Sequence, residues 1–155
     1  MAGLTNKGKY KILGWAMRQE TAETKLYLAL CTDTDTPGAD TNTLSQLEEI
    51  GAGNGYTSGG NSISMNSTDF DVWTEDDSDD DGEVQIKDTS WTASGGDIPA
   101  SGDGISYLVL TDDNATVASR EVYAYWDVED SSTPRTITSG GTTTFQNSSI
   151  KLTES

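Results

Sequence analysis

Apolar residues recur along this chain with two different periods, and the change from one to the other falls near residue 25. Before it, Tyr10, Leu13 and Met17 stand at i, i+3 and i+7, with Ile12 and Ala16 four apart. That spacing predicts a helix over about 5–18, because residues three and four apart share a helical face. Thr5 or Asn6 supplies an N-cap oxygen. Gly8 and Gly14 weaken the helix by about 1 kcal/mol each relative to alanine. Its end is expected between Gln19 and Glu23.

After residue 25 the period falls to two. Leu26, Leu28 and Leu30 share one face of a predicted strand over 25–32. Residues 33–60 are rich in Thr, Asp, Gly and Asn around a short apolar knot at Leu44, Leu47 and Ile50. The glycines of 51–60 make that stretch loop or strand edge, since they stabilise neither helix nor strand interior. Ile63 and Met65 share a face. Phe70 and Val72 alternate before an acidic run, Val84 and Ile86 alternate after it, and Trp91 follows. The nearly continuous apolar stretch 105–110 predicts a central strand, and Asp112-Asp113-Asn114 a turn. Val122, Ala124, Trp126 and Val128 are expected on one face, with Tyr123 and Tyr125 on the other. Residues 136–138 and 142–152 flank Ser139-Gly140-Gly141 as an expected hairpin, with a bulge near Asn147 where the apolar parity shifts. About eight short strands without βαβ alternation predict an all-β protein. The expected architecture is an antiparallel β-sandwich or jelly-roll-like barrel with a short N-terminal helix. It forms one domain over 1–155, with a basic segment at 1–24 and a β-rich body at 25–155.

Charge narrows the partners. The formal net charge of −17 opposes long-range attraction to nucleic acid, which needs clustered Lys and Arg, and to an anionic membrane surface. Neither is an expected partner. Histidine is absent, which removes the commonest general base near neutral pH and the commonest transition-metal ligand. Cys31 is alone, so no intrachain disulfide forms, and its place at the end of an apolar stretch predicts a buried thiol. Residues 1–7 lack the apolar core of a signal peptide, and no apolar run approaches the ~18 residues of a membrane span. The expectation is a soluble protein made in a cytoplasm. Five of the nine basic residues fall within the first 25 positions. They form either a solvated helix face or an arm that docks onto an acidic partner or a neighbouring copy.

The acidic run 69–83 contains no basic residue and ends in Asp77-x-Asp79-x-Asp81-Gly82, the opening of a calcium-loop pattern. Asp77, Asp79 and Asp81 take positions one, three and five, Gly82 the sharp turn, Val84 the apolar anchor, and Asp88 position twelve. Such a set of hard oxygen ligands suits calcium, and calcium is the one cofactor the sequence raises. Strand flanks instead of helices, and Asp rather than Glu at position twelve, favour a solvated hairpin tip with an optional cation. Trp73 and Trp91 are candidates for a sugar-stacking platform, against core packing as the default for such side chains. No Ser-His or Cys-His pair and no phosphate loop followed by Lys is present, so no catalytic residue is assigned and no enzyme is expected.

The order of segments resembles small tailed-bacteriophage virion proteins of the capsid decoration, head-fibre and minor tail types. Leu4-Thr-Asn-Lys-Gly-Lys-Tyr-Lys-Ile-Leu13 is similar to their opening. A strand like 25–32, a Gly-Tyr element like Gly53-Asn-Gly-Tyr56-Thr-Ser-Gly-Gly60, a β-rich body with late strand 121–127 and a terminal hairpin follow in the same order. The chain departs by its acidic insertion at 75–81 and by Tyr56-Thr57, where many relatives continue with a basic residue. The resemblance implies a non-enzymatic virion protein, foremost a decoration (cement) protein on the capsid exterior. It would bind the major capsid protein or other virion proteins across subunit seams, often as a homotrimer. Lys7, Lys9, Lys11, Arg18 and Tyr56 are the contact candidates. The alternatives are a tail or fibre component, or a carbohydrate-binding sandwich with a calcium loop.

Overall fold

The computed structural model describes residues 2–78, 80–129 and 132–153. The fold is all-β and sandwich-like, with one short N-terminal helix, as the pattern predicts. The largest sheet has five antiparallel strands, β1 (Ala2–Leu4), β8 (Val122–Asp127), β7 (Tyr107–Thr111), β2 (Lys25–Cys31) and β3 (Asn61–Ser64), in that spatial order. β7 takes the centre, where its apolar run is buried on both faces. A second sheet holds β10 (Ser148–Thr153), β5 (Asp81–Ile86) and β4 (Val72–Asp76). A third pairs β6 (Thr89–Thr92) with β9 (Thr142–Phe145). Helix α1 spans Asn6–Arg18. Among the described residues no helix is long and apolar enough to cross a membrane.

Alternation along β2 divides the interior. Leu26, Leu28 and Leu30 face the main core with Ile63, Leu108, Leu110 and Trp126, where residues of the two smaller sheets, Ile86, Trp91 and Phe145, close over them. Ala29 and Cys31 point the other way, into a second core with Val109 and Val122. The apolar knot of the long loop covers that face, through Leu44 and Leu47. Cys31 is buried there, as expected, and burial pushes its thiol well above the usual range.

Three expectations are corrected. Val122 does not share a face with Ala124. The register between β7 and β8 runs Leu110 to Ala124 and then Thr111 to Val122, so Tyr123 is an extra residue in β8. This bulge sends Tyr123 into the main core with Ala124 and Trp126, and Val122 into the second core. The hairpin around Ser139-Gly140-Gly141 does not form either. The turn is present, but β9 pairs with β6, while Ile137 bridges to Ile98. At Asn147, with φ of 56°, the chain breaks instead of bulging and passes from one sheet to another, where β10 pairs with β5. Local periodicity reports faces and not partners, so pairing across the sequence stayed out of reach.

Thr5 caps α1 by accepting from Gly8 N at 2.9 Å, and its hydroxyl donates to Val122 O at 2.6 Å. The helix therefore begins on β8. A Cβ at Gly8 would lie 2.1 Å from Tyr123 O, so only glycine permits this approach. A Cβ at Gly14 would meet only the flexible carboxylate of Glu20, at 2.8 Å. Replacing Gly8 by alanine is expected to lower stability by about 1–3 kcal/mol through overpacking against backbone. Gly14→Ala is expected to be neutral or to gain up to about 1 kcal/mol of helix propensity. Denaturant unfolding midpoints of the two variants check the contrast, and equal losses would overturn it.

Candidate functional site

Packing by its glycine side turns the other side of α1 outward. Tyr10, Leu13 and Met17, the residues whose spacing predicts the helix, are 61%, 60% and 77% exposed. Exposed Lys9 and Arg18 lie beside this apolar stripe. Ile12 and Trp15, on the inward side, form one wall of an apolar cleft of about 580 Å³. Leu26, Leu110, Tyr123, Met65 and Phe70 also line it. The second sheet forms the facing wall. In its register Trp73 lies opposite Val84 and Val84 opposite Ile150, while Gly82 lies between Glu75 and Leu152. On one face of that sheet Trp73, Val84, Ile150 and Leu152 line the cleft, with Trp73 and Leu152 at the rim. On the alternate face Lys151 pairs Asp81 at 2.9 Å and Glu83 at 3.5 Å. Sequence reasoning missed the cleft. The period-two signal in Ile150 and Leu152 was visible, but nothing local placed it opposite Ile12 and Trp15.

The four basic contact candidates separate into two pairs. Lys7 lies 3.1 Å from Glu121, and Lys11 3.2 Å from Glu121 and 3.5 Å from Glu23. Tyr123 donates to Glu23 at 2.8 Å, and Trp15 meets the Tyr123 ring edge-on at 5.9 Å. Lys7 and Lys11 thus tie the helix to β8 and its neighbours, leaving Lys9 and Arg18 on the outer side. Arg18 makes an exposed pair with Glu20 at 3.4 Å.

Tyr56, the fifth contact candidate, is buried and is corrected to a structural role. Its hydroxyl donates to Glu49 at 2.6 Å and accepts from Leu30 N at 3.1 Å. Glu49 also accepts from Ser58 Oγ at 2.7 Å and from Gly59 N. Arg120, buried over the Tyr27 ring at 3.8 Å, donates to Gly59 O at 2.8 Å. A Cβ at Gly60 would lie 1.8 Å from Leu28 O. The Gly-Tyr segment is therefore a latch against β2, and its glycines allow backbone to touch backbone.

The acidic run forms a hairpin. Asp76 and Asp81 close the β4–β5 ladder, and Ser78 N and Oγ both donate to Asp76. Asp77 is exposed at the tip, and Asp79 lies outside the described residues. Asp81 is buried against Lys151, and Asp88 accepts from Gln146 at 2.9 Å. Asp88 is seven residues beyond Asp81 along extended chain, roughly 20 Å away, so the two do not meet around one ion. Among the described residues, no group of three or more acids or cysteines is placed to hold a metal. The two tryptophans also separate, with Trp73 89% exposed and Trp91 2% exposed and edge-on to Phe145. Trp91 belongs to the core and cannot stack on a sugar.

The helix clamp responds to pH in a definite direction. Burial raises the Glu121 carboxyl, but the Lys7 and Lys11 ammonium groups outweigh it and hold the group below its usual range. Lys11 is lowered by burial yet raised on balance by Glu121 and Glu23. A depressed carboxyl contributes stability above its unfolded value and loses it as pH falls through the folded value. A raised lysine contributes below its unfolded value and loses it as pH rises through the folded one. The clamp is therefore complete at neutral pH. Glu121→Gln is expected to lower stability by about 0.5–1 kcal/mol at pH 7 and by less at pH 3, measured by urea unfolding at both. Tyr56→Phe, which leaves Leu30 N unpaired in the core, is expected to lower it by about 1–3 kcal/mol in the same assay. No known family, curated protein or solved structure matches the chain.

Proposed function

We propose that the protein is a non-enzymatic structural component of a tailed-phage virion, a decoration protein that attaches to the capsid lattice from outside through protein–protein contacts. One observation carries this: the outer stripe of α1, apolar at Tyr10, Leu13 and Met17 and basic at Lys9 and Arg18, stands on an otherwise acidic body. Anchors at i, i+3 and i+7 on an exposed helix face are how an amphipathic helix enters a protein groove. The flanking cations add steering toward an acidic surface. The order of segments that resembles tailed-phage virion proteins supports the same assignment. Its chemistry is linkage: a chain that binds the assembled shell and not the free subunits stabilises the shell in proportion to its occupancy. The acidic hairpin is suited to face water, where like charge keeps particles apart.

A carbohydrate-binding role rests on Trp73 alone, since Trp91 is buried. In that role Trp73→Ala abolishes glycan binding and leaves shell attachment unchanged.

The test is co-sedimentation of the purified chain with empty shells that lack it. Saturable attachment is expected, with a rise in the melting temperature of the shell. Leu13→Asp removes one buried anchor, worth about 1.5–3 kcal/mol, and is expected to weaken attachment by roughly tenfold or more. Absence of saturable attachment by the parent chain overturns the proposal.

A further inference from the structure

The outer stripe of α1 and the cleft on its inner side are complementary in shape class and in charge. The stripe is convex and offers Tyr10, Leu13 and Met17 with Lys9 and Arg18 beside them. The cleft is concave and apolar, about 580 Å³ in volume, with exposed Trp73 and Leu152 on its rim. Its second wall runs directly into the acidic hairpin, where Glu75, Asp76 and Asp77 are exposed. A partner for the cleft therefore carries apolar anchors flanked by positive charge. This chain displays such a segment itself, but on the opposite side of the helix that lines the cleft, so no copy can fill its own cleft with it.

We propose that the outer stripe of α1 in one copy lies in the apolar cleft of a second copy, joining copies head to tail. The proposal rests on the assignment of that stripe as a protein-docking face, and it names the partner as another molecule of this chain. Bodies of net charge −17 repel one another. Association therefore depends on a contact where the sign is locally reversed, and Lys9 and Arg18 against the acidic hairpin provide that reversal. Because the two surfaces differ, the contact is heterologous: an open run of copies keeps one free stripe at its end, the one available to the shell, whereas a closed ring uses every stripe, so self-docking and shell attachment compete for the same face.

Sedimentation velocity over a concentration series, without shells, reads the outcome. The parent chain is expected to form oligomers. Leu13→Asp, which spoils the stripe, and Leu152→Asp, which spoils the cleft rim, are each expected to be monomeric. Mixed in equal amounts they are expected to form a one-to-one dimer and nothing larger, because one intact stripe then faces one intact cleft. Met17→Asp and Trp73→Asp form a second such pair at still more exposed positions, and circular dichroism verifies that each variant is folded. A parent chain monomeric throughout the series overturns the proposal. So does a Leu152→Asp variant that assembles like the parent, or a mixture that does not pair. A monomeric parent that still attaches to shells through Leu13 overturns only the self-docking. A parent that assembles in this way and never attaches to shells supports it and overturns the decoration role.

Discussion

The contact on which most other features depend is the approach of helix α1 to strand β8 at Gly8. Backbone meets backbone there, with Tyr123 O occupying the space of a Cβ. Thr5 holds the helix start at the same place, accepting from Gly8 N and donating to Val122 O. With that side of the helix committed, its rotation is decided. Ile12 and Trp15 turn toward the body and become a wall of the cleft, while Tyr10, Leu13 and Met17 turn to solvent. The bulge at Tyr123 serves the same junction, because it swings the Tyr123 ring to meet Trp15 and its hydroxyl to meet Glu23. The Lys7, Lys11, Glu23 and Glu121 cluster then fastens the helix electrostatically.

The same economy governs the rest of the charged and polar inventory. Groups that look like chemistry in the sequence are structural pins. Tyr56 and Glu49 latch the glycine-rich segment to β2, and Arg120 is held by carbonyl oxygens and an aromatic face. Burial raises the hydroxyls of Tyr56 and Tyr123, and their carboxylate partners add to the effect, so both remain hydrogen-bond donors at neutral pH. Among the described residues, the exposed surface also carries the cations Lys9, Arg18 and Lys25, together with the apolar stripe of α1 and the apolar cleft behind it.

Much of the fold was legible. The helix, the strand at Lys25–Cys31, the central strand and the acidic hairpin tip follow from period, turn chemistry and glycine placement, which act within a few residues. The candidate site was legible in composition and not in arrangement. Tyr10, Leu13 and Met17 announced a helix, but an apolar stripe does not say whether it faces the core, and Ile12 and Trp15 made a second stripe on the same helix. Lys7 and Lys9 are alike in sequence and differ in structure only because Glu121, more than a hundred positions away, reaches one of them.

The sequence by itself determined the class of fold, the ends of the helix and the alternation within unbulged strands such as β2, because each depends on neighbours in the chain. Only the tertiary structure decided which strands pair, which face of α1 is outward, that Tyr56 and Trp91 are interior, and that Asp81 and Asp88 lie too far apart to share an ion. Those outcomes depend on contacts between segments distant along the chain. Two such contacts decide most of them: the glycine-to-carbonyl approach at β8 and the pairing of β10 with β5.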